Sequence, residues 1–363
     1  MGDTGSNYIL HGLKLSYFTG KLEAYFRTKG IPHDYVEMDT AGFRRCAKAT
    51  GIAQMPQVET PDGEWLTDTT AIIAKFEAEM PGPNLQPSDP VAAFCSLLLE
   101  DLFDEWYWRP ALYYRWAFDE DMMLMSSQIA NTLMRDLRLP FFLRRQFILK
   151  RQRKVFLKQD GVTKETAPVI EALYLDTLKT LDGIFSKRPF LMGQRPCEAD
   201  FGLFGPFFRH FFSDPTPGSL MRETAPNVAN WVTRLWATRP ADLEGAPEIQ
   251  SVPDDLGFFF EIASADYLPY LQANAHAVDG GQKQVHHQAQ GVDWSVPAAP
   301  YRVFCLSELR RHFQQLGSEE KAQVGKLIGK GVSLLEGDVS DVGNPASHTD
   351  RQRPTDRLWK SAD

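Results

Sequence analysis

The chain has no apolar run long enough to cross a bilayer as a helix, which takes about twenty residues. It has no excess of positive charge either, since the formal net charge is −8. Phosphate backbones reward clustered Lys and Arg, so this balance argues against nucleic acid as the main partner. The opening segment, Met1 to Asn7, is polar and carries no basic stretch followed by an apolar one, so no secretory signal is expected there. Cysteine is scarce: Cys46, Cys95, Cys197 and Cys305 stand far apart and form no CxxC pair. That excludes a dithiol redox motif and the usual zinc-knuckle spacing. Unpatterned cysteines fit a reducing cytoplasm, and each is read as a small buried hydrophobe.

What is present is enough for two domains with cores: 363 residues, 43% of them apolar. Residues 1–7 read as a flexible N-terminus. Tyr8-Ile9-Leu10 opens an apolar strand, and a helix is expected from about Thr19 to Lys29, with Leu22, Tyr25 and Phe26 on one face. Gly30 and Pro32 stop it. A second strand is expected over His33 to Asp39, then a mixed segment. Gln57 to Thr60 and Glu64 to Thr67 flank Pro61-Asp62-Gly63, which is hairpin chemistry. Asp68 and Thr69 cap a helix carrying Ile72, Ile73 and Phe76. The order is βαβ, then ββα, over residues 8–85.

Pro81 to Pro90 is a linker rich in helix breakers. Residues 91–270 read as an all-helical domain, with apolar stripes over 91–118, 168–185 and 226–237. Residues 271–335 read as an extension: a loop over the Gly- and His-rich 274–291, then two short helices capped near Ser307 and Ser318. Residues 336–363 are polar and expected to be disordered. There is no internal repeat.

Three pieces in the first 73 residues suit recognition of a small thiol peptide. Ser16 stands at the start of the first helix. A thiol held there would feel the positive end of the helix and could accept a hydrogen bond from the hydroxyl; both favour the nucleophilic thiolate. A free thiol has a pKa of about 8.5, so lowering it by roughly two units makes most of it reactive at neutral pH. Met55-Pro56 precedes a strand, and an X-Pro bond can be cis at low cost. A cis bend would leave the Met55 backbone free to pair with an extended peptide as a further strand. Asp68-Thr69 offers a hydroxyl and unpaired N–H groups at a helix N-terminus, where a carboxylate binds.

These residues resemble the glutathione S-transferase superfamily. Tyr8 to Ser16 is similar to the first strand and serine loop of its theta-type members, with matching spacing to Gly30-Ile31-Pro32. Gln54-Met55-Pro56-Gln57-Val58 resembles the segment around the family's cis-proline, and Leu66 to Ile72 its LTESxAI signature, with Asp for Glu and Thr for Ser. Arg188 to Gly193 and Ala199-Asp200-Phe201 resemble a later helical stretch, so the likeness covers residues 8 to about 240.

The resemblance implies a thioredoxin-like domain followed by a helical domain, in a cytoplasmic homodimer that conjugates glutathione, as co-substrate and without a metal, to a hydrophobic electrophile in detoxification. A non-catalytic binding or scaffolding protein, and a glutathione-dependent isomerase or ether-cleaving enzyme, fit the same residues. Carried over, Ser16 activates the thiol, Gln54 and Met55 hold the glutathione backbone beside Pro56, and Asp68 and Thr69 hold the γ-glutamyl group. Tyr17 stands where proline is common, so its hydroxyl competes with Ser16 for the activating role. Thr19 occupies the place of the nucleophile in cysteine-type members. Cys197 replaces the usual Ser or Thr cap before Ala199-Asp200, at a cost of about 1 kcal/mol.

Three further features have bland readings. The segment 138–159 carries Arg138, Arg144, Arg145, Lys150, Arg151, Arg153, Lys154 and Lys158 without an acid, interleaved with Phe141, Phe142, Phe147, Ile148, Val155 and Phe156. It could meet an anionic substrate or lipid head groups, but a solvated helix face balanced by Glu100, Asp101 and Asp104 is favoured. Some of Trp106, Tyr107, Trp108, Tyr113, Tyr114 and Trp116 could line an electrophile pocket, although core packing is the default for any one. His276, His286, His287 and Cys305 lack the spacing of a metal site.

Overall fold

In the computed structural model, residues 7–153, 157 and 159–340 are described. The first unit is β1 (Tyr8–Gly12), α1 (Tyr17–Lys29), β2 (His33–Glu37), α2 (Thr40–Thr50), β3 (Gln57–Glu59), β4 (Trp65–Thr67) and α3 (Thr69–Glu79). Its sheet runs β2-β1-β3-β4. Strand β1 pairs parallel to β2, with Tyr8 opposite His33, and antiparallel to β3, with Leu10 opposite Val58. The hairpin at Pro61-Asp62-Gly63 joins β3 to β4, with Gly63 at φ 87°. This is a thioredoxin-like domain, followed by a helical one. Helix α2 corrects the expected mixed segment. Asp39 caps it, its Oδ1 accepting the Gly42 N–H at 2.7 Å, and Gly51 ends it in the left-handed region.

Next come α4 (Pro90–Glu105), α5 (Trp108–Ala117), α6 (Asp119–Thr132), α7 (Phe141–Gln152), α8 (Ala167–Phe185), α9 (Glu198–Pro206), α10 (Pro215–Thr224) and α11 (Pro226–Ala237). One apolar core runs from Leu10, Phe26 and Phe76 under the sheet to Leu102, Phe204 and Trp231 between the helices. Helix α9 lies against both α1 and α4. At Gly202 a Cβ would stand 2.8 Å from Glu100 Cα, and at Gly205 one would stand 2.7 Å from the Tyr17 ring. Only glycine permits that approach.

A second core cluster joins Leu13 and Met38 to Leu112, Trp116, Ile129 and Ile148, so α6 and α7 close over the loop after β1. The expected balance of the basic segment by Glu100, Asp101 and Asp104 is not found. Glu100 and Asp104 are buried against Lys21, and Asp101 accepts from the Tyr267 hydroxyl. Arg144 instead satisfies the Ala130 and Met134 carbonyls at 3.1 and 2.9 Å, while Phe142 stays 64% exposed. Lys154, Val155, Phe156 and Lys158 lie outside the described residues.

The C-terminal part holds α12 (Gly257–Ile262), α13 (Leu268–Asp279), β5 (Gln284–Ala289), β6 (Val292–Pro297), α14 (Pro300–Gln315), α15 (Ser318–Ile328) and α16 (Val332–Leu335). The loop expected over 274–291 is instead the end of α13 and a hairpin strand. Val285 and Ala289 alternate inward against Trp294 and Val296, around a two-residue turn with Gln290 at φ 53° and Gly291 at φ 76°. Ser307 is not a cap but is buried inside α14. Of the tail expected to be disordered, Asp338 is tied by its carbonyl to Arg310 at 3.0 Å, whereas residues 341–363, like 1–6, lie outside the described residues.

Cys197 precedes α9, and the reverse half of the cap is supplied by Asp200. Its carboxylate accepts the Cys197 N–H at 3.1 Å, the Leu191 N–H at 3.0 Å and the Trp231 indole N–H at 3.2 Å. Burial pushes this carboxyl up to about 6. The folded chain therefore holds the proton more tightly than the unfolded one, and the stability linked to it falls as pH rises from about 4 to about 6. Asp200→Ala strands three buried donors and is expected to cost about 3 kcal/mol. The measurement is a lower urea midpoint at unchanged m.

Candidate functional site

A cavity of about 360 Å³ opens where the first unit meets the helices. Ser16, Tyr17, Gln54, Met55, Pro56, Asp68 and Thr69 all border it. The facing wall is largely apolar and aromatic, with Trp108, Leu112, Trp116, Ile129 and Leu133, and Arg151 and Gln152 of α7 also border the cavity. Of the aromatic run read from the sequence, Trp108 and Trp116 line this wall. Tyr107 is instead bonded to the Thr177 hydroxyl, and Tyr114 packs on Tyr174.

The local geometry separates the two candidate hydroxyls. Ser16 is the N-cap of α1, its Oγ accepting the Thr19 N–H at 3.4 Å. Its own proton stays available to donate. Tyr17 is buried, and its hydroxyl donates to the Phe103 carbonyl. Burial, followed by the charges of Asp104 and Glu105, pushes the Tyr17 phenol well above its ordinary range. A phenol committed to the core in this way has no proton to offer the cavity.

Met55-Pro56 is cis. Ladder pairing starts at Gln57, opposite His11 and Thr67, so Met55 lies beyond the ladder at the cavity edge. Gln57 steadies this turn by donating from Nε2 to the Ile52 and Gln54 carbonyls at 2.8 and 3.1 Å. Asp68 caps α3 at φ 71°, with Oδ1 accepting the Thr70 N–H at 3.1 Å. Thr69 is buried beside it at the first helical position.

Two ionic groups under this surface were not read from the sequence. Lys21 is fully buried on α1 and binds Glu100 and Asp104 of α4, with Thr70 Oγ1 at 3.2 Å. Thr70 in turn donates to Glu100 at 2.7 Å. Burial opposes the Lys21 charge, but the two carboxylates outweigh it and hold the ammonium well above its ordinary range. Arg115 of α5 donates to the Leu15 carbonyl at 2.8 Å and is gripped by Asp214 at 2.7 and 2.9 Å. The loop bearing Ser16 is thus fixed from the helical side. His210 beside Arg115 is pushed well below its ordinary range by burial and by the guanidinium charge, and so stays neutral. The signal for Lys21 was its place in the row Tyr17-Lys21-Tyr25, where a lysine at helical spacing on a buried face must find acids.

Among the described residues, no group of three or more His, Cys, Asp or Glu could hold a metal ion. His287 packs on Tyr270 at 4.6 Å and is pushed down to about 3, chiefly by burial. No helix is long and apolar enough to cross a membrane among those residues.

The glutathione S-transferase N-terminal domain matches residues 10–84, and the glutathione S-transferase C-terminal domain matches residues 139–238. The chain belongs to the glutathione S-transferase superfamily. Similar solved structures include the beta-etherase LigF from Sphingobium sp. strain SYK-6, at 20% identity and TM-score 0.46, over 66% of this chain and 98% of that one. The Tau class glutathione S-transferase of mango, Mangifera indica, is 16% identical with TM-score 0.42, over 68% and 95%. A glutathione S-transferase from Pseudomonas fluorescens is 18% identical with TM-score 0.38, over 64% and 96%. No curated protein matches the chain.

Removing Lys21 leaves two buried carboxylates without a counter-ion. Lys21→Met is expected to destabilise the fold by about 3–5 kcal/mol. Thermal or urea unfolding reads this loss, and wild-type stability in the variant would contradict the buried cluster.

Proposed function

We propose that this protein is a serine-type glutathione transferase that activates the glutathione thiol for attack on a hydrophobic electrophile. The observation that carries the reading is the shared cavity: a helix-capping serine, the turn before β3 and the N-terminus of α3 face an aromatic wall across one space. Glutathione would lie with its cysteine backbone along Met55 and its γ-glutamyl group at Asp68-Thr69, which brings the sulfur to the start of α1. The Ser16 O–H would donate to the thiolate, since Ser16 Oγ already accepts from Thr19. The helix's positive end would lower the thiol pKa further. The thiolate then forms a C–S bond to the electrophile, and either a leaving group departs with the electron pair or the adduct takes a proton from solvent.

Tyr17 is given no part in the chemistry, because its hydroxyl bonds to Phe103. Trp108, Leu112 and Trp116 would seat a flat apolar substrate. The reading includes the division into residues 8–85, 91–270 and 271–335, and a homodimer. Four free, buried cysteines suit the cytoplasmic location it also includes.

Ser16→Ala is expected to lower turnover about 100-fold while glutathione still binds, as loss of one donor to a developing or stabilised anion does. The long cap contact it removes costs about 1 kcal/mol, which leaves the fold standing. Steady-state kinetics with an aromatic halide electrophile, beside a glutathione titration, makes the test. Full turnover in the variant overturns the role of Ser16. A wild-type chain that binds glutathione but turns over no electrophile favours a binding protein on the same fold.

A further inference from the structure

Neither family match reaches the C-terminal part, yet that part touches the cavity. It is fastened to α4 and α5 at three points, spaced four residues apart in the chain. Asp101 accepts from the Tyr267 hydroxyl at 2.7 Å. Glu105 pairs with Arg302 at 3.0 Å. The buried Arg109 guanidinium lies over the rings of Trp106, Tyr270 and Trp294 at 4.3, 4.8 and 4.6 Å. Asp101 and Glu105, four apart, share one face of α4, and Arg109 follows in the first turn of α5, so the segment around α13, the β5–β6 hairpin and α14 all meet this stretch. Cation–π contacts of this kind gain strength when desolvated. These contacts hold the start of α14 against α4 and α5.

Tyr301 adjoins Arg302 and borders the cavity. Its hydroxyl donates to Asp68 Oδ2 at 3.1 Å, across 233 residues of chain. With Oδ1 already accepting from the Thr70 N–H, both carboxylate oxygens are tethered and the side chain has one orientation. Lys21 is near enough to act on Asp68 by charge, but its ammonium is bound by Glu100 and Asp104. Among the described residues Asp68 therefore bonds to the Thr70 N–H and the Tyr301 hydroxyl rather than to a cation. Burial raises its pKa, while Lys21 and the Tyr301 hydrogen bond work in the opposite direction.

We propose that Tyr301 is a positioning residue of the glutathione site, holding Asp68 in the orientation that receives the α-ammonium of the γ-glutamyl group. The C-terminal part then completes a site whose remaining residues lie in the first unit. The ligand class follows from the charges: an amino-acid head group, its carboxylate at the N-terminus of α3 and its ammonium on Asp68. This inference rests on the glutathione reading above.

The experiment compares two ligands by calorimetry on the full chain. One is glutathione; the other is glutaryl-cysteinyl-glycine, which is glutathione without its α-amino group. Tyr301→Phe is expected to weaken glutathione about five- to tenfold, the scale of one ordinary hydrogen bond, and to leave the analogue unchanged. Combined with Asp68→Asn it should add nothing to the loss caused by Asp68→Asn alone. Tyr301→Leu carries the same expectation should Tyr301→Phe fail to fold. An unchanged glutathione affinity, or an equal loss for both ligands, overturns the positioning role and leaves the glutathione reading standing. A wild-type chain that binds no glutathione at millimolar concentration overturns both.

Discussion

The buried ammonium of Lys21 is the constraint on which the site depends. It comes from α1, whose N-terminus bears Ser16, and it ends on Glu100 and Asp104 of α4. Thr70, bound to the same cluster, belongs to the first turn of α3, whose cap is Asp68. Three helix positions that matter to the cavity are therefore set by one cation. A buried ion pair of this kind is weak evidence for net stability, since apolar side chains of equal volume can do as well. What it gives instead is geometry. Charges taken out of water tolerate few arrangements, so α1, α3 and α4 cannot slide past one another without exposing an unpaired charge to the core.

Arg115 does the same from the other side. It reaches from α5 to the Leu15 carbonyl, one residue before Ser16, and is itself held by Asp214 at the start of α10. The loop between β1 and α1 is thus pinned by a helix more than ninety residues away, and the second apolar cluster around Leu13, Leu112 and Trp116 packs beside it. The aromatic wall of the cavity and the hydroxyl at its base are parts of one packed unit.

The first unit was largely legible in the sequence because its signals are local. Pro61-Asp62-Gly63 specifies a turn, Gly30 ends a helix in the left-handed region, and Asp68 caps the next one, each within a few residues. Helix α2 was missed although Asp39 and Gly51 bracket it, because only Thr40 and Cys46 are buried on it, too few to set an apolar period. The β5–β6 hairpin was missed because its turn is Gln290-Gly291 and its inward row includes His287, which reads as polar until Tyr270 and Trp294 are seen around it. The acids of α4 were read as surface charge. Glu100 and Asp104 sit one turn apart on a helix otherwise rich in Leu and Phe, and that spacing pointed to a buried cation; which cation it was depended on how α1 crosses α4, a tertiary fact that no window of sequence contains.

The pair Ser16-Tyr17 shows why adjacent hydroxyls of similar promise end differently. At a helix start the cap residue is extended and the next residue is already helical, so their side chains leave the backbone in different directions. Ser16, short and at the cap, stays beside the cavity with an acceptor role toward Thr19 and a free proton. Tyr17 enters the row that continues through Lys21 and Tyr25 into the core, and its length carries the hydroxyl to Phe103. Gly205 on α9 has no side chain where the Tyr17 ring lies, which leaves room for that path. The choice between the two hydroxyls is therefore made by the packing of α1 against α4 and α9. The same helix carries Lys21 to Thr70, two residues past the cap Asp68, so the base of the cavity and the cap at its rim are both tied to α1.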